Sequence, residues 1–224
     1  MKKKDSKELW LEIDSSIPKK SFTLGPYASD LYFNDPAMLA FIASRYKFCA
    51  KMLSGFNTVM EIGCGDAFGG AILAKQVNRL ICLDINEPLL KENSERMKKF
   101  SNIEYKYHDF RINPYSEKVD AVILVDVIEH IYLEEENKFL SNIKSSLKPQ
   151  GVCLIGTPNI ESEKYASKHS RDGHVNLKSH VKLKKIGSDY FHNSFLFSMN
   201  DEVVHTGLSQ MAHYLWILCV TPRS

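Results

Sequence analysis

Residues 57–66 read Asn-Thr-Val-Met-Glu-Ile-Gly-Cys-Gly-Asp, an apolar run that breaks on an acid and two glycines. Gly63 and Gly65, on either side of Cys64, permit a turn that side chains would obstruct, so a ligand can approach the main chain there. A second group, Asp126-Val127-Ile128-Glu129-His130, follows another apolar run. If the chain turns helical at that point, positions 126, 129 and 130 share a face, and two carboxylates and an imidazole converge. Such a mixed, fairly hard set suits Mg²⁺, Mn²⁺ or Fe²⁺ better than a closed tetrahedral zinc. His174, in Arg171-Asp172-Gly173-His174-Val175-Asn176, is the expected fourth ligand. Without a metal, His174 or His130 is the candidate general base. The competing reading makes Asp126 a helix cap and Glu129 and His130 surface groups.

The elements that must position these groups follow from the pattern of apolar residues. Val59, Met60 and Ile62 suit a strand buried on both faces, and strand-like runs at 58–62, 79–84, 103–108, 119–125 and 151–156 are spaced by helical patterns. Helices are expected at 67–77, 87–99 and 134–147, with a further one from Ser179 to Ile186. Asn34-Asp35-Pro36 supplies a cap and a first-turn proline for a helix to about Ser54. Two last strands, Tyr190 to Ser198 and His213 to Val220, have the bulk and alternation of an antiparallel pair. Alternation of this kind predicts an α/β chain whose mostly parallel sheet is wound with helices. Residues 1–34 lack clear periodicity and are expected to form an extension or lid, with one domain over residues 35–224.

A glycine turn between strand and helix can also cradle a pyrophosphate. Here the third glycine of that fingerprint falls at Phe68, and Glu61 would repel a phosphate and attract a cation. Asp84, in Leu83-Asp84-Ile85, ends the second strand at the carboxyl edge where open α/β sheets bind ligands. An acid there can hold both hydroxyls of a ribose, or serve as a helix cap before Asn86-Glu87-Pro88.

Glu61-Ile62-Gly63-Cys64-Gly65-Asp66 resembles the first motif of the class I S-adenosylmethionine-dependent methyltransferases, whose cofactor carries a sulfonium and an ammonium and no phosphate. The order of elements over residues 35–221 is similar to that family's fold, a doubly wound, Rossmann-like sheet of seven strands with the last antiparallel. The specific motifs lie within residues 57–177. The resemblance implies S-adenosyl-L-methionine as cofactor, held around Glu61, Gly63, Cys64, Gly65, Asp84 and Ile85. It further implies that Asp84 grips the ribose, that Asp109 takes the adenine amino group and Phe110 the adenine face, and that backbone near Val125 lines the methionine end. Leu147-Lys148-Pro149-Gln150-Gly151 resembles a turn of the same family, with Gln150 in place of the usual glycine. The second group resembles a branch that includes the ubiquinone-biosynthesis O-methyltransferases and the small-RNA terminal 2′-O-methyltransferases, which show Glu-x-x-Glu-His there. The RNA enzymes add a histidine after Thr-Pro-Asn, matched by Thr157-Pro158-Asn159 and His174, while Asp126 replaces the first glutamate. Its shorter arm shifts the metal or abolishes it.

At 224 residues, 44% hydrophobic and 25% charged, the chain is long enough for one sizeable core. A net charge of +2, with basic groups at Lys2, Lys3 and Lys4 and at Lys182, Lys184 and Lys185, reads as solvated surface and argues against a nucleic-acid partner. Five irregularly spaced cysteines without a CxxC pair fit a reducing compartment. No apolar stretch is long enough to span a bilayer, and the expected location is cytoplasmic. Tyr27, Tyr32, Phe33, Arg45 and Tyr46 can either cover a sulfonium or pack in the core. His205 and His213 flank the turn between the last strands, where they shape an acceptor pocket or are merely solvated.

The expected activity is methyl transfer to a hydroxyl oxygen of a small-molecule acceptor, with or without a divalent metal. The alternatives are an amine acceptor, as on an amino sugar, an RNA 2′-hydroxyl, or cofactor binding without catalysis.

Overall fold

Short apolar runs that alternate with helices close into one sheet in the computed structural model, which describes residues 4–224; Lys2 and Lys3 lie outside the described residues. The strands are β1 (Thr58–Ile62), β2 (Arg79–Asp84), β3 (Ile103–Tyr107), β4 (Val119–Val125), β5 (Leu147–Pro158), β6 (Phe191–Asn200), β7 (Val203–His205) and β8 (Tyr214–Pro222). Their order is β3-β2-β1-β4-β5-β8-β6-β7. The pairs from β3 to β5 are parallel, β8 runs antiparallel to both β5 and β6, and β7 folds back on β6. The expected fold class therefore holds, with one correction: the sheet has eight strands rather than seven. The extra strand is the three-residue return of a hairpin at Asp201, whose positive φ of 50° reverses the chain.

Among the described residues, eight α-helices accompany the sheet: α1 (Ser6–Ser16), α2 (Pro26–Asn34), α3 (Pro36–Met52), α4 (Gly70–Ala74), α5 (Glu87–Arg96), α6 (Leu133–Ser145), α7 (Lys168–Gly173) and α8 (His180–Tyr190). Their starts are written locally. The Asp35 carboxylate accepts from Met38 N at 3.1 Å ahead of Pro36, and the Asn86 side chain caps Leu89 N at 3.2 Å. Tyr46 and Cys49 of α3, Leu53 at its C-cap and Leu73 of α4 bury one face of the sheet against Val59, Cys82 and Ile123. Phe139 and Ile143 of α6 and Leu183 and Ile186 of α8 cover the other, against Met60, Ile81 and Leu124. Burial on both faces is why β1 and β4 carry near-continuous apolar sequence.

Three local expectations need correction. The helix expected at 67–77 shrinks to Gly70–Ala74, because Ala67 sits at φ 56° and Gly69 packs directly under the Tyr46 ring. The N-terminal stretch is not irregular: Asp5 and Glu8 form a capping box that starts α1, and α2 begins on Pro26. The chain after β4 makes only a single 3-10 turn, Ile128–His130, since Asp126 adopts φ 56° and leaves the helical path.

Gly156 of β5 faces the aromatic pair of β8. A Cβ there would lie 2.5 Å from the Trp216 ring and 2.7 Å from the Tyr214 hydroxyl. Gly156→Ala is expected to lower stability by about 1–3 kcal/mol. Urea denaturation checks this, and an unchanged midpoint would refute the packing assignment.

Candidate functional site

The site grows from the ends of β1, β2 and β4, which parallel register holds level: Ile62 pairs with both Leu83 and Leu124. Past Ile62 the chain turns through Gly63 at φ 72° and Gly65 at φ 51°, the left-handed region that glycine enters at little cost. Gly63 N and Cys64 N donate to the Leu83 carbonyl at 2.8 and 3.1 Å, so the turn is sewn to β2. Gly65 N donates to Asp84 Oδ2 at 2.9 Å, and Asn86 N to Asp84 Oδ1 at 3.0 Å. The carboxylate thus latches the glycine turn, whereas Asn86, not Asp84, caps α5. Exposed Ile85 lies beside it in a shallow groove with Asn86, Pro88 and Tyr107.

Two residues of α5 finish the turn. Asn93 Nδ2 donates to the Gly65 carbonyl at 2.7 Å, and Arg96 donates to the Asp66 carbonyl and to Asn93 Oδ1. A Cβ at Gly63 would strike Val127 at 2.6 Å, so the glycine is also demanded by the close approach of the chain leaving β4. Asp66 reaches the other way: its Oδ2 accepts from Ala28 N at 2.7 Å and so caps α2, whose own N-cap is Gly25. This docks α2 over the turn, with the Tyr27 ring 3.4 Å from where a Gly65 Cβ would be.

Several expected cofactor contacts are corrected by burial. Glu61 is 1% exposed; the Tyr46 hydroxyl donates to it at 2.7 Å and the Cys82 thiol at 3.5 Å, so it braces the turn from beneath rather than meeting a cation. The Cys64 side chain is likewise buried. The Phe110 ring is sealed in the core, edge-on to His108 and Phe139, and offers no face to an adenine. Asp109 stands at the end of β3, but Arg111 spans both its oxygens from Nη2 at 2.7 Å and Nε at 3.0 Å. The guanidinium holds this carboxyl below the usual range. Val125 reaches the edge, packed against β5 opposite Gly156.

The second group assembles in part. Ligand atoms of Glu129, His130 and His174 lie within 4.8 Å of one another. His130 Nδ1 donates to the Gly173 carbonyl at 2.8 Å, which leaves Nε2 as its lone-pair nitrogen. The His130 and His174 rings meet edge-on at 5.1 Å. Glu129 is fully buried; Thr157 Oγ1 donates to its Oε2 at 3.0 Å, while Oε1 has no hydrogen-bond partner among the described residues. Burial, reinforced by the charge of Asp126, pushes the Glu129 carboxyl well up. Asp126 does not join the group. Its left-handed backbone turns the side chain to Arg45, whose Nη1 donates to Oδ2 at 2.7 Å. The Arg45 guanidinium lies 4.0 Å over the Tyr214 ring, and Arg45 Nε and Asp126 Oδ1 are buried without hydrogen-bond partners among the described residues.

Sequence reasoning passed over Asp66, Asn93 and Arg96 as holders of the turn, and Tyr214 as the floor under Arg45. Asn93 and Arg96 are one helical turn apart on α5, a spacing that marks a shared face; nothing local pointed to Tyr214. His205 and His213 stay at the surface, His205 as the acceptor for Gly207 N at 3.0 Å and His213 3.9 Å from Asp201.

Residues 59–151 match the family described as a methyltransferase domain. Over 102 residues the chain is 30% identical to a probable S-adenosylmethionine-dependent methyltransferase of Mycolicibacterium smegmatis, a match that covers 45% of this chain and 38% of that one. Over 116 residues it is 28% identical to a ubiquinone biosynthesis O-methyltransferase of Rickettsia typhi, covering 48% and 43%. The chain thus spans less than half the length of these curated relatives. The methyltransferase domain of the bacterial CtHen1-C superposes with a TM-score of 0.68 over 82% of this chain and 100% of that one, at 15% identity, a likeness of fold.

Burial raises the Glu61 carboxyl from 4.5 to about 7. The folded protein therefore keeps a proton that the unfolded chain releases between those values, so this contribution to stability is complete at acid pH and declines as pH rises through about 7. Glu61→Gln, whose amide oxygen still accepts from Tyr46, is expected to flatten that decline and raise Tm above the window. Thermal melts across the window check it; a slope as steep as that of the parent would contradict the assignment.

Proposed function

We propose that the chain is a class I S-adenosylmethionine-dependent methyltransferase, a reading supported by the methyltransferase-domain match over residues 59–151 and by its relatives, and that it transfers the methyl group of S-adenosyl-L-methionine to a hydroxyl oxygen of a small-molecule acceptor. The observation that carries the reading is the convergence of Glu129, His130 and His174 at the same sheet edge as the glycine turn and Asp84. The donor's adenosine would lie along the turn, its ribose hydroxyls on the Asp84 oxygens and its adenine toward Ile85 and Asp109. Buried Arg45 Nε and Asp126 Oδ1, each without a hydrogen-bond partner among the described residues, suit the carboxylate and ammonium of the donor's amino-acid end. Val125 and the backbone after it border that end. Arg45 and Asp126 also neutralise each other, so the zwitterion meets no net charge.

The acceptor oxygen attacks the methyl carbon, the carbon–sulfur bond breaks, and the neutral thioether leaves; the hydroxyl proton must go elsewhere. His130 Nε2, whose tautomer is set by the Gly173 carbonyl, and His174 are the bases placed to take it. The same three residues fit a divalent cation: Glu129 Oε1 lacks a partner in a buried site, and the imidazole beside it is oriented by a carbonyl. Mg²⁺, Mn²⁺ or Fe²⁺ held there would supply Lewis acidity that lowers the pKa of an acceptor hydroxyl. Either way the chain's own work is to align the acceptor with the methyl group and exclude water, and in this reading α2, docked on Asp66, acts as a lid over the donor. None of the described helices is long and apolar enough to cross a membrane. The five buried thiols support a reducing, cytoplasmic setting.

Calorimetry with S-adenosylhomocysteine is expected to show clear binding, and Asp84→Ala to weaken it on the order of 10- to 100-fold, the loss of a charged acceptor. Near-normal affinity in the variant would refute the ribose assignment. Binding of NAD in place of the thioether would overturn the donor itself. Turnover with an oxygen-bound methyl product is expected to fall on chelation; chelator-insensitive turnover with a nitrogen-bound product would overturn the hydroxyl acceptor and the metal together.

A further inference from the structure

Lys178 is 1% exposed, an unusual place for an ammonium group. Its Nζ donates to Glu136 Oε2 at 2.6 Å and to the Asn176 carbonyl at 2.7 Å. Asn176 Nδ2 donates in turn to Glu136 Oε2 at 2.8 Å and to the Ile131 carbonyl at 2.9 Å. The Asn176 amide donates to the Glu129 carbonyl at 2.9 Å, a direct tie to the turn that carries Glu129 and His130. On its other side the segment is bridged to Asn159, with Ile160 N donating to the Lys178 carbonyl at 3.0 Å. His174 lies two residues before Asn176 on this doubly anchored segment. We propose that Glu136, Asn176 and Lys178 are positioning residues that register His174 against Glu129 and His130, and so set the affinity of that cluster for a divalent cation.

A buried ion pair is a poor source of stability, because desolvating both charges offsets their attraction. Its geometry is another matter. Lys178 and the Asn176 amide group both converge on one carboxylate oxygen of α6, which fixes the strand-like segment in a single register relative to the turn after β4. An apolar side chain at 178 would fill the same space and lose that constraint, leaving Glu136 buried with Asn176 alone.

The proposal rests on the metal reading above, and the test separates the two. Lys178→Met and the double variant Glu136→Leu with Lys178→Leu are compared with the parent; the double variant removes the staple without leaving a buried unpaired charge. Titration with Mn²⁺ followed by electron paramagnetic resonance is expected to show affinity about 10- to 100-fold lower in both. Affinity for S-adenosylhomocysteine is expected to stay at the parent value, and exchange of the Asn176 amide hydrogen to accelerate locally. Unchanged Mn²⁺ affinity, or a loss that runs in parallel with thioether binding, would overturn the proposal. If the parent protein binds no Mn²⁺, the metal reading falls by itself; the positioning role is then judged on Asn176 exchange, and unchanged protection overturns it.

Discussion

Parallel register among β1, β2 and β4 is the constraint on which every chemical group of this protein depends. Because Ile62 stands opposite both Leu83 and Leu124, the next residue along each chain segment emerges abreast of the others: Gly63, Asp84 and Val125. A slip of one residue in any pair would exchange the core and turn faces of a strand, placing Glu61 among the apolar side chains that Met60 now meets. The buried faces forbid that slip. Tight hydrogen bonds from Gly63, Cys64 and Gly65 to β2 then convert strand alignment into the shape of a turn.

Around that edge, ionisable groups are buried in small closed sets. Glu61 with Tyr46 and Cys82 sits below the glycine turn, Arg45 with Asp126 sits beside it, and Glu136 with Lys178 lies behind the histidines. Each set satisfies most of its polar atoms internally, as a low-dielectric interior requires. Among the described residues, Arg45 Nε, Asp126 Oδ1 and Glu129 Oε1 are buried without a hydrogen-bond partner, and so are Arg96 Nε, Tyr105 Oη, His180 Nδ1 and Tyr214 Oη elsewhere in the fold.

Burial also explains why some residues with the right chemistry do other work. Phe110 has the aromatic face suited to an adenine, yet its ring completes the core beneath α6. Asp109 has the required carboxylate, yet Arg111, two residues on, already spans it. Asp126 occupies the position that the sequence resemblance assigns to a metal ligand, but its left-handed backbone aims the short arm at Arg45, on a helix 81 residues earlier in the chain. Helix α4 is shortened by the same kind of contact, Tyr46 of α3 pressing on Gly69.

Local sequence determined the strands β1, β2 and β4 to the residue, the cap at Asp35, the start of α8 at Ser179, the glycines that bend at Gly63 and Gly65, and the acid at Asp84. These features rest on forces that act within a few residues: apolar runs, capping side chains and the absence of a Cβ. Tertiary structure alone decided that Glu61 is covered, that Asp66 clasps α2, that Asp126 leaves the group of Glu129, His130 and His174, and that Lys178 is buried behind it. Those outcomes turn on partners 15 to 81 residues away or on a backbone angle set by packing, and no spacing pattern in a linear chain encodes which distant side chain arrives first.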